Sequence, residues 1–303
     1  MKHPNFFIVG APKCGTTAMT RYLEDHPEIF VSAKKDLHYF GSDLGFTNRP
    51  RLEAPAYFQH FEAATTEALV GEASVWYLYS TQAASEIHAF DPNARIIMML
   101  RNPVEAMYAL FTQLRFNGLG DESIDDFELA LAAESDRAQG KRIPPQTPLP
   151  KALLYRKATR WVEQVERYQD HFPPSQIHVI LQDDLKADTA KVYGSTLCFL
   201  GVDETFKPDF TPVNTAKQVR SERLRKLIGK TPGPLKSAFP DDVRQRLRKT
   251  IRRFNSEHTK RPALDPTLRA QLTQACRKDV EALGHLIERD LSHWTDPPHP
   301  SQG

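Results

Sequence analysis

The stretch GAPKCGTT, residues 10–17, comes within one position of a nucleotide-binding loop. Loops that hold nucleoside triphosphates read G-x-x-x-x-G-K-[ST], with backbone N–H groups and a helix-leading lysine around the phosphates. Gly10 and Gly15 keep the glycine spacing and Thr17 keeps the hydroxyl, but Thr16 stands in the lysine slot. The lysine of this loop is Lys13, three residues earlier. A strand feeding a helix here still aims N–H groups at an anion, and Thr16 and Thr17 add hydroxyl donors. What is missing is the lysine that reaches the β and γ phosphates, which argues against a plain ATPase or GTPase. Lys13 can instead sit against the bridging oxygen of a shorter anhydride, where it would offset charge as the leaving group departs; the alternative is a solvent lysine in a tight turn.

Two more segments carry reactive side chains. Arg101 directly follows the apolar run RIIMML, residues 95–100. A guanidinium at a strand end can grip a phosphate through paired hydrogen bonds, although arginine in such a place also has an ordinary structural reading. KKDLHYF, residues 34–40, offers Lys35, Asp36 and His38. Asp36 and His38 are two apart, so in an extended segment they face the same way, and a carboxylate and an imidazole then flank one pocket. Either can serve as the base that takes a proton from a hydroxyl or amine nucleophile; the alternative is a solvated loop pair.

These residues need a scaffold that brings strand ends together. NFFIV, residues 5–9, is an unbroken apolar run, as suits a buried parallel strand, and the helical spacing of Ala18, Met19, Tyr22 and Leu23 follows the glycine loop. Further strands are expected at 29–31, 69–71, 95–100 and 177–181, the last with an acidic loop behind it. Helices are expected from Pro103 to about 116, over about 151–172, over 191–200, over 241–254, and over 266–291 with Asp265 as cap and Pro266 in the first turn. Alternation of this kind predicts a three-layer α/β fold, P-loop-like, with a central mostly parallel sheet flanked by helices and ligands at the carboxyl ends of the strands. The whole of 1–303 reads as one domain, with an insertion at about 118–150 made of a short helix and a proline-rich loop, and a helical C-terminal part at about 221–294.

GAPKCGTT resembles the 5′-phosphosulfate loop of sulfotransferases that use 3′-phosphoadenosine 5′-phosphosulfate (PAPS). The resemblance runs from Phe6 to about Trp294. It is closest to bacterial sulfotransferase-domain proteins, which are similar to the heparan-sulfate N- and O-sulfotransferases. It implies that residues Lys13, Cys14, Gly15, Thr16 and Thr17 hold the 5′ side of PAPS and that Arg101 opens the 3′-phosphate motif. That motif carries a serine eight residues on, where this chain has Ala109, which cannot donate a hydrogen bond. Thr112, Lys217 and Arg220 are the candidates to compensate, the last two from the basic segment TPVNTAKQVRSERLRKLIG that resembles the family's loop over the nucleotide. KKDLHYF resembles the family's Lys-Glu-x-His-Phe-Phe segment, whose glutamate is the base. On that footing Asp36 is the first candidate base and His38 the second, with Lys35 lowering the carboxylate's pKa and helping to hold sulfuryl oxygens. GEASVWYL, residues 71–78, resembles a Gly-Glu-x-Ser-Pro stretch with Val75 in place of proline. Glu72 is then expected to orient the acceptor or Lys13, while Trp76 and Tyr77 line a pocket or belong to the core. Tyr155 is a further pocket candidate.

The implied reaction is in-line transfer of a sulfuryl group from PAPS to a hydroxyl or amine, leaving adenosine 3′,5′-bisphosphate, with no metal. The acceptor is read as a carbohydrate or small metabolite. The rivals are a P-loop kinase or nucleotide hydrolase and a non-catalytic nucleotide-binding protein. Forty basic and 38 acidic residues give a formal charge of +2, which offers no support to wholesale nucleic-acid binding. Neither a signal peptide nor a membrane span is expected, and three scattered cysteines, Cys14, Cys198 and Cys276, suit a reducing, cytoplasmic setting. Cys198 and Cys276 are expected in the core.

Overall fold

The structure is a computed structural model that describes residues 2–118, 121–211, 217–219, 256–258 and 262–295. Five strands form its central sheet: β1 (Phe6–Gly10), β2 (Ile29–Val31), β3 (Leu69–Ala73), β4 (Arg95–Leu100) and β5 (Ile177–Leu181). All four pairings are parallel, in the order β2-β3-β1-β4-β5. Every residue of β1 and β3 is buried; β1 accordingly reads as an unbroken apolar run, whereas β3 carries the buried Glu72. β1 and β3 lie close together because Gly71 stands opposite Phe6, and a Cβ at Gly71 would come within 2.1 Å of the Phe6 ring. The chain leaves β1 toward one edge of the sheet and leaves β4 toward the other. The carboxyl ends of these neighbours therefore enclose the crevice where open α/β sheets bind ligands.

The helices are α1 (Thr16–Glu24), α2 (Ala54–Phe58), α3 (Ala83–Phe90), α4 (Pro103–Asn117), α5 (Phe127–Ala132), α6 (Glu134–Ala138), α7 (Tyr155–Ala158), α8 (Trp161–Gln169), α9 (Gln182–Ala187), α10 (Thr189–Leu200) and α11 (Pro266–Leu286). α4 starts as its sequence requires, with Pro103 in the first turn and the Asn102 side chain accepting from the N–H groups of Val104 and Glu105. α11 starts in the same way, with Asp265 accepting from Leu268. It stops at Leu286, short of the expected 291, because Glu288 turns to φ 53° and the Arg289 N–H closes back on the Gly284 carbonyl. Among the described residues no helix is long and apolar enough to cross a membrane.

Three expectations are corrected. The single helix over 151–172 is broken into a 3-10 turn (Pro150–Leu153), α7 and α8. The break lets Tyr155 point at Glu122 while the Trp161 indole donates to the Arg101 carbonyl at 2.9 Å, two destinations that one straight helix does not serve. The acidic loop behind β5 is α9, with Asp183 and Asp184 in its first turn. Asp183 accepts from the Trp294 indole at 2.6 Å, and Asp184 pairs with Arg289. The insertion has two short helices where one was expected, followed by the proline-rich loop. It holds α5 and α6 and contributes Phe127, Leu131 and Leu149 to a second hydrophobic cluster with α4, Leu153, Leu268 and Leu272. Inside that cluster Glu122 and Arg137 form a fully buried pair with contacts of 2.7 and 2.8 Å.

Cys276 is half-buried, but Cys198 is exposed rather than in the core. The inner face of α10 is set by Tyr193, Leu197 and Leu200, and Cys198 falls on the opposite side.

Candidate active site

The site begins where β1 turns into α1. Gly15 takes φ 99°, a left-handed conformation that favours glycine, and α1 opens with no side-chain cap on its first N–H groups. Such a helix end is electropositive and suited to an anion. Lys35 reaches the same place from the segment after β2. Its ammonium lies 3.1 Å from the Thr17 hydroxyl oxygen and 3.4 Å from that of Thr16. Burial pulls its pKa down, and the neighbouring Asp36 carboxylate opposes that shift.

Lys13 sits at φ 65° in the loop. Its ammonium donates to Gln113 Oε1 of α4 at 2.9 Å, so it turns inward across the crevice. The Lys13 carbonyl is gripped from the ends of β4 and β5, by Arg101 Nη1 at 3.4 Å and by Gln182 Nε2 at 3.3 Å. The loops after β1, β4 and β5 are thus tied at one peptide group. Cys14 belongs to the core instead. Its thiol is fully buried, burial pushes its pKa up to about 12, and its N–H donates to the Ala11 carbonyl. Neither its thiol nor its N–H is left facing an anion.

Arg101 continues outward. Its Nη2 meets Glu105 Oε2 at 3.1 Å, and the other oxygen of Glu105 meets Arg269 Nη2 of α11 at 2.6 Å. Ala109 lies one turn beyond Glu105 and is fully buried. Thr112 spends its hydroxyl on the Tyr108 carbonyl of its own helix, at 2.7 Å. Lys217 lies in the short strand β6 (Lys217–Val219), paired antiparallel with β7 (Ser256–His258), and not in an open loop. Arg220 and the helix expected at 241–254 lie outside the described residues.

The segment after β2 brings Asp36 and His38 to the same end of the sheet. Asp36 and His38 do not sit in an extended run, since both take positive φ, 59° and 50°. The turn is held through the backbone: the Asp36 N–H donates to the Ala73 carbonyl at 2.8 Å, and Arg49 donates to the Asp36 carbonyl at 3.0 Å. The Asp36 carboxylate, 45% exposed, accepts from the Val75 N–H at 3.2 Å and lies 3.9 Å from His38 Nε2. That separation is too long for a hydrogen bond. His38 is buried against Phe46 and Tyr77, and burial, with Arg49 nearby, lowers its pKa to about 3. The ring is therefore neutral near pH 7, and as a base it is weak.

Glu72 is not beside Lys13. It is buried in the end of β3, where its carboxylate accepts from Ser74 at 2.5 Å, Tyr57 at 2.7 Å and Tyr77 at 2.8 Å. Two of these partners hold the segment that carries Asp36: Ser74 Oγ accepts the His38 N–H and Tyr77 Oη accepts the Phe40 N–H. Tyr57 stacks on Tyr39 with centroids 4.0 Å apart. Burial raises the Glu72 pKa to about 7 against the pull of those hydroxyls. Tyr77 is thus a core residue, and Tyr155 is spent on Glu122 in the second cluster. Gln113, Gln182 and Arg269 escaped the sequence reading. The pattern around each is that of an ordinary helix, and only tertiary contact brings them to the crevice.

Comparison with known proteins places the chain in a family. The Sulfotransferase domain family matches residues 3–284, and the chain belongs to that family. A sulfotransferase crystal structure from Alicyclobacillus acidocaldarius superposes with a TM-score of 0.74 at 29% identity, covering 98% of this chain and 100% of that one. Human carbohydrate sulfotransferase 15 is 31% identical over 165 residues, 41% of this chain and 29% of its own length. Human bifunctional heparan sulfate N-deacetylase/N-sulfotransferase 3 is 26% identical over 269 residues, 85% of this chain and 29% of its own length. The chain thus matches less than a third of the length of either human relative.

Proposed function

We propose that the protein transfers a sulfuryl group from PAPS to a hydroxyl or amine of a carbohydrate or small-metabolite acceptor. The observation that carries this reading is the convergence of Lys35, Thr16 and Thr17 on the uncapped start of α1, with the half-exposed carboxylate of Asp36 next to Lys35. A doubly hydroxylated, cationic helix end suits the 5′-phosphosulfate, and Arg101 suits the 3′-phosphate. The names of the two human relatives, both enzymes of carbohydrate sulfation, favour a carbohydrate acceptor.

In this mechanism Asp36 takes the proton of the acceptor hydroxyl or amine as its oxygen or nitrogen bonds to sulfur. The bond from sulfur to the bridging oxygen breaks, and adenosine 3′,5′-bisphosphate leaves. Lys13 offsets the charge that grows on the departing phosphate oxygen, and Lys35 steadies the transferred oxygens. Asp36 keeps its orientation because the Val75 N–H fixes one carboxylate oxygen, while the side chain stays 45% exposed. His38, neutral near pH 7, stands 3.9 Å from that carboxylate and leaves the proton to it.

The test is incubation with PAPS and a mixed acceptor library, scored by mass spectrometry for products heavier by SO3, alongside Lys13→Ala. Labelled products from the wild type, reduced on the order of 100-fold or more in the variant, support the reading. Tight binding of adenosine 3′,5′-bisphosphate with no transfer to any acceptor class would favour the non-catalytic alternative.

A further inference from the structure

We propose that Arg269 of α11 is the second cation of the 3′-phosphate subsite, doing beside Arg101 what a serine at position 109 would otherwise do. This rests on the donor reading above. Arg101, Glu105 and Ala109 follow one another at helical spacing, at the start of α4 and along one face of it. The polar contact that a hydroxyl at 109 would supply is absent, because Ala109 has no donor and is packed away. Thr112, one turn away, is committed to its own helix.

α11 packs along α4, and its Leu268 and Leu272 enter the same hydrophobic cluster as Val104, Met107 and Leu110. That packing leaves Arg269, next to Leu268, on the rim. There its guanidinium reaches one oxygen of Glu105 at 2.6 Å while Arg101 holds the other at 3.1 Å. Two guanidinium groups are drawn to this one carboxylate. Both also stand within reach of one anion, since each is bound to the same three-atom group. The cluster is open enough to be reached: Arg269 is 33% and Glu105 29% exposed, while Arg101 is 13% exposed and anchored on the Lys13 carbonyl. A doubly charged phosphate offers more acceptor oxygens than a carboxylate and takes bidentate contacts from both arginines. Glu105 then acts as the brace that holds the two cations at the right separation. Lysine at 269 would keep the charge but lose the fork.

Calorimetry on the full chain tests this with two nucleotides that differ only at the 3′ position, adenosine 3′,5′-bisphosphate and adenosine 5′-monophosphate. In the wild type the bisphosphate binds tighter. Arg269→Gln should weaken the bisphosphate by on the order of 10-fold or more, leave the monophosphate unchanged, and shrink the gap between them. Arg269→Lys should fall between. Equal weakening of both nucleotides would mark Arg269 as a strut for the fold and overturn the proposal, as would no change in either. A wild type that binds the bisphosphate no better than the monophosphate would sink the donor reading itself. Loss only in Arg101→Gln would leave that reading standing and remove Arg269 from it. Thermal denaturation of each variant separates lost folding from lost binding.

Discussion

The ammonium of Lys35 stands 3.1 Å from the hydroxyl oxygen of Thr17, bridging the start of α1 and the segment that carries Asp36. The helix end proposed to receive the donor is thereby coupled to the residue proposed to face the acceptor. Burial disfavours the charged form of Lys35, and an anion at the helix end would restore it. Lys35→Met should therefore weaken adenosine 3′,5′-bisphosphate by on the order of 10-fold, with little loss of stability, since it removes a charge that costs free energy to bury. Calorimetry and a melting curve on the same sample decide it. Unchanged affinity would detach Lys35 from the donor site.

Asp36→Asn keeps the acceptor atom for the Val75 N–H, so the turn at φ 59° is preserved while the basicity is lost. The turnover rate should fall by on the order of 100- to 10,000-fold with nucleotide affinity intact. Single-turnover kinetics with saturating PAPS reads this directly. A fall of less than tenfold would move the proton elsewhere, and Asp36→Asn combined with His38→Gln would show whether it goes through the imidazole.

Glu72 makes a pH prediction with a definite sign. Its folded-state pKa, about 7, is above the usual glutamate value, so the folded protein binds this proton more tightly than the unfolded chain. The resulting stability is fully present below about pH 4.5 and is lost as pH rises through about 7, amounting to a few kcal/mol at most. His38, lowered to about 3, and His178, lowered to about 4, act in the opposite sense, adding stability as pH rises toward 6.5. Glu72→Gln isolates the first effect. In urea titrations at a series of pH values, the stability of wild type minus variant should decline between pH 5 and 8. A difference that is flat or that grows with pH would mean that Glu72 is ionised throughout.

The parts of this site that could be read from sequence are those where local pattern and chemistry coincide. GAPKCGTT and RIIMMLRN each join an unbroken buried strand to a turn that only certain residues permit, so strand, loop and anion site are all written within a dozen positions. Asp265 and Pro266 announced α11 for the same reason. The break between α7 and α8 was not legible, because it answers a distant demand from the Arg101 carbonyl on the Trp161 indole. Nor was the fold of the segment around Asp36 and His38, where the positive φ values go with backbone N–H hydrogen bonds donated to Ala73, Ser74 and Tyr77 and not with glycine. Arg269 reaches Glu105 only because two helices pack, and no period in either one records it.

The second hydrophobic cluster offers a prediction independent of catalysis. Glu122 and Arg137 are fully buried, and Glu122 also accepts from the Tyr155 hydroxyl and the Ile124 N–H, so its two oxygens take four donors. Charges this deep survive only when fully paired, and removing one partner leaves the other stranded in a medium that solvates it poorly. Arg137→Met should cost about 3–5 kcal/mol, most of it from the carboxylate left behind. The double variant Glu122→Gln with Arg137→Met should recover much of that loss, because it strands no charge. Chemical denaturation measures both. The cluster supports α4 from the side away from the sheet, so the surviving folded fraction should still bind adenosine 3′,5′-bisphosphate with wild-type affinity. If the double variant proves no more stable than Arg137→Met, the pair is not isolated from water as the structure places it.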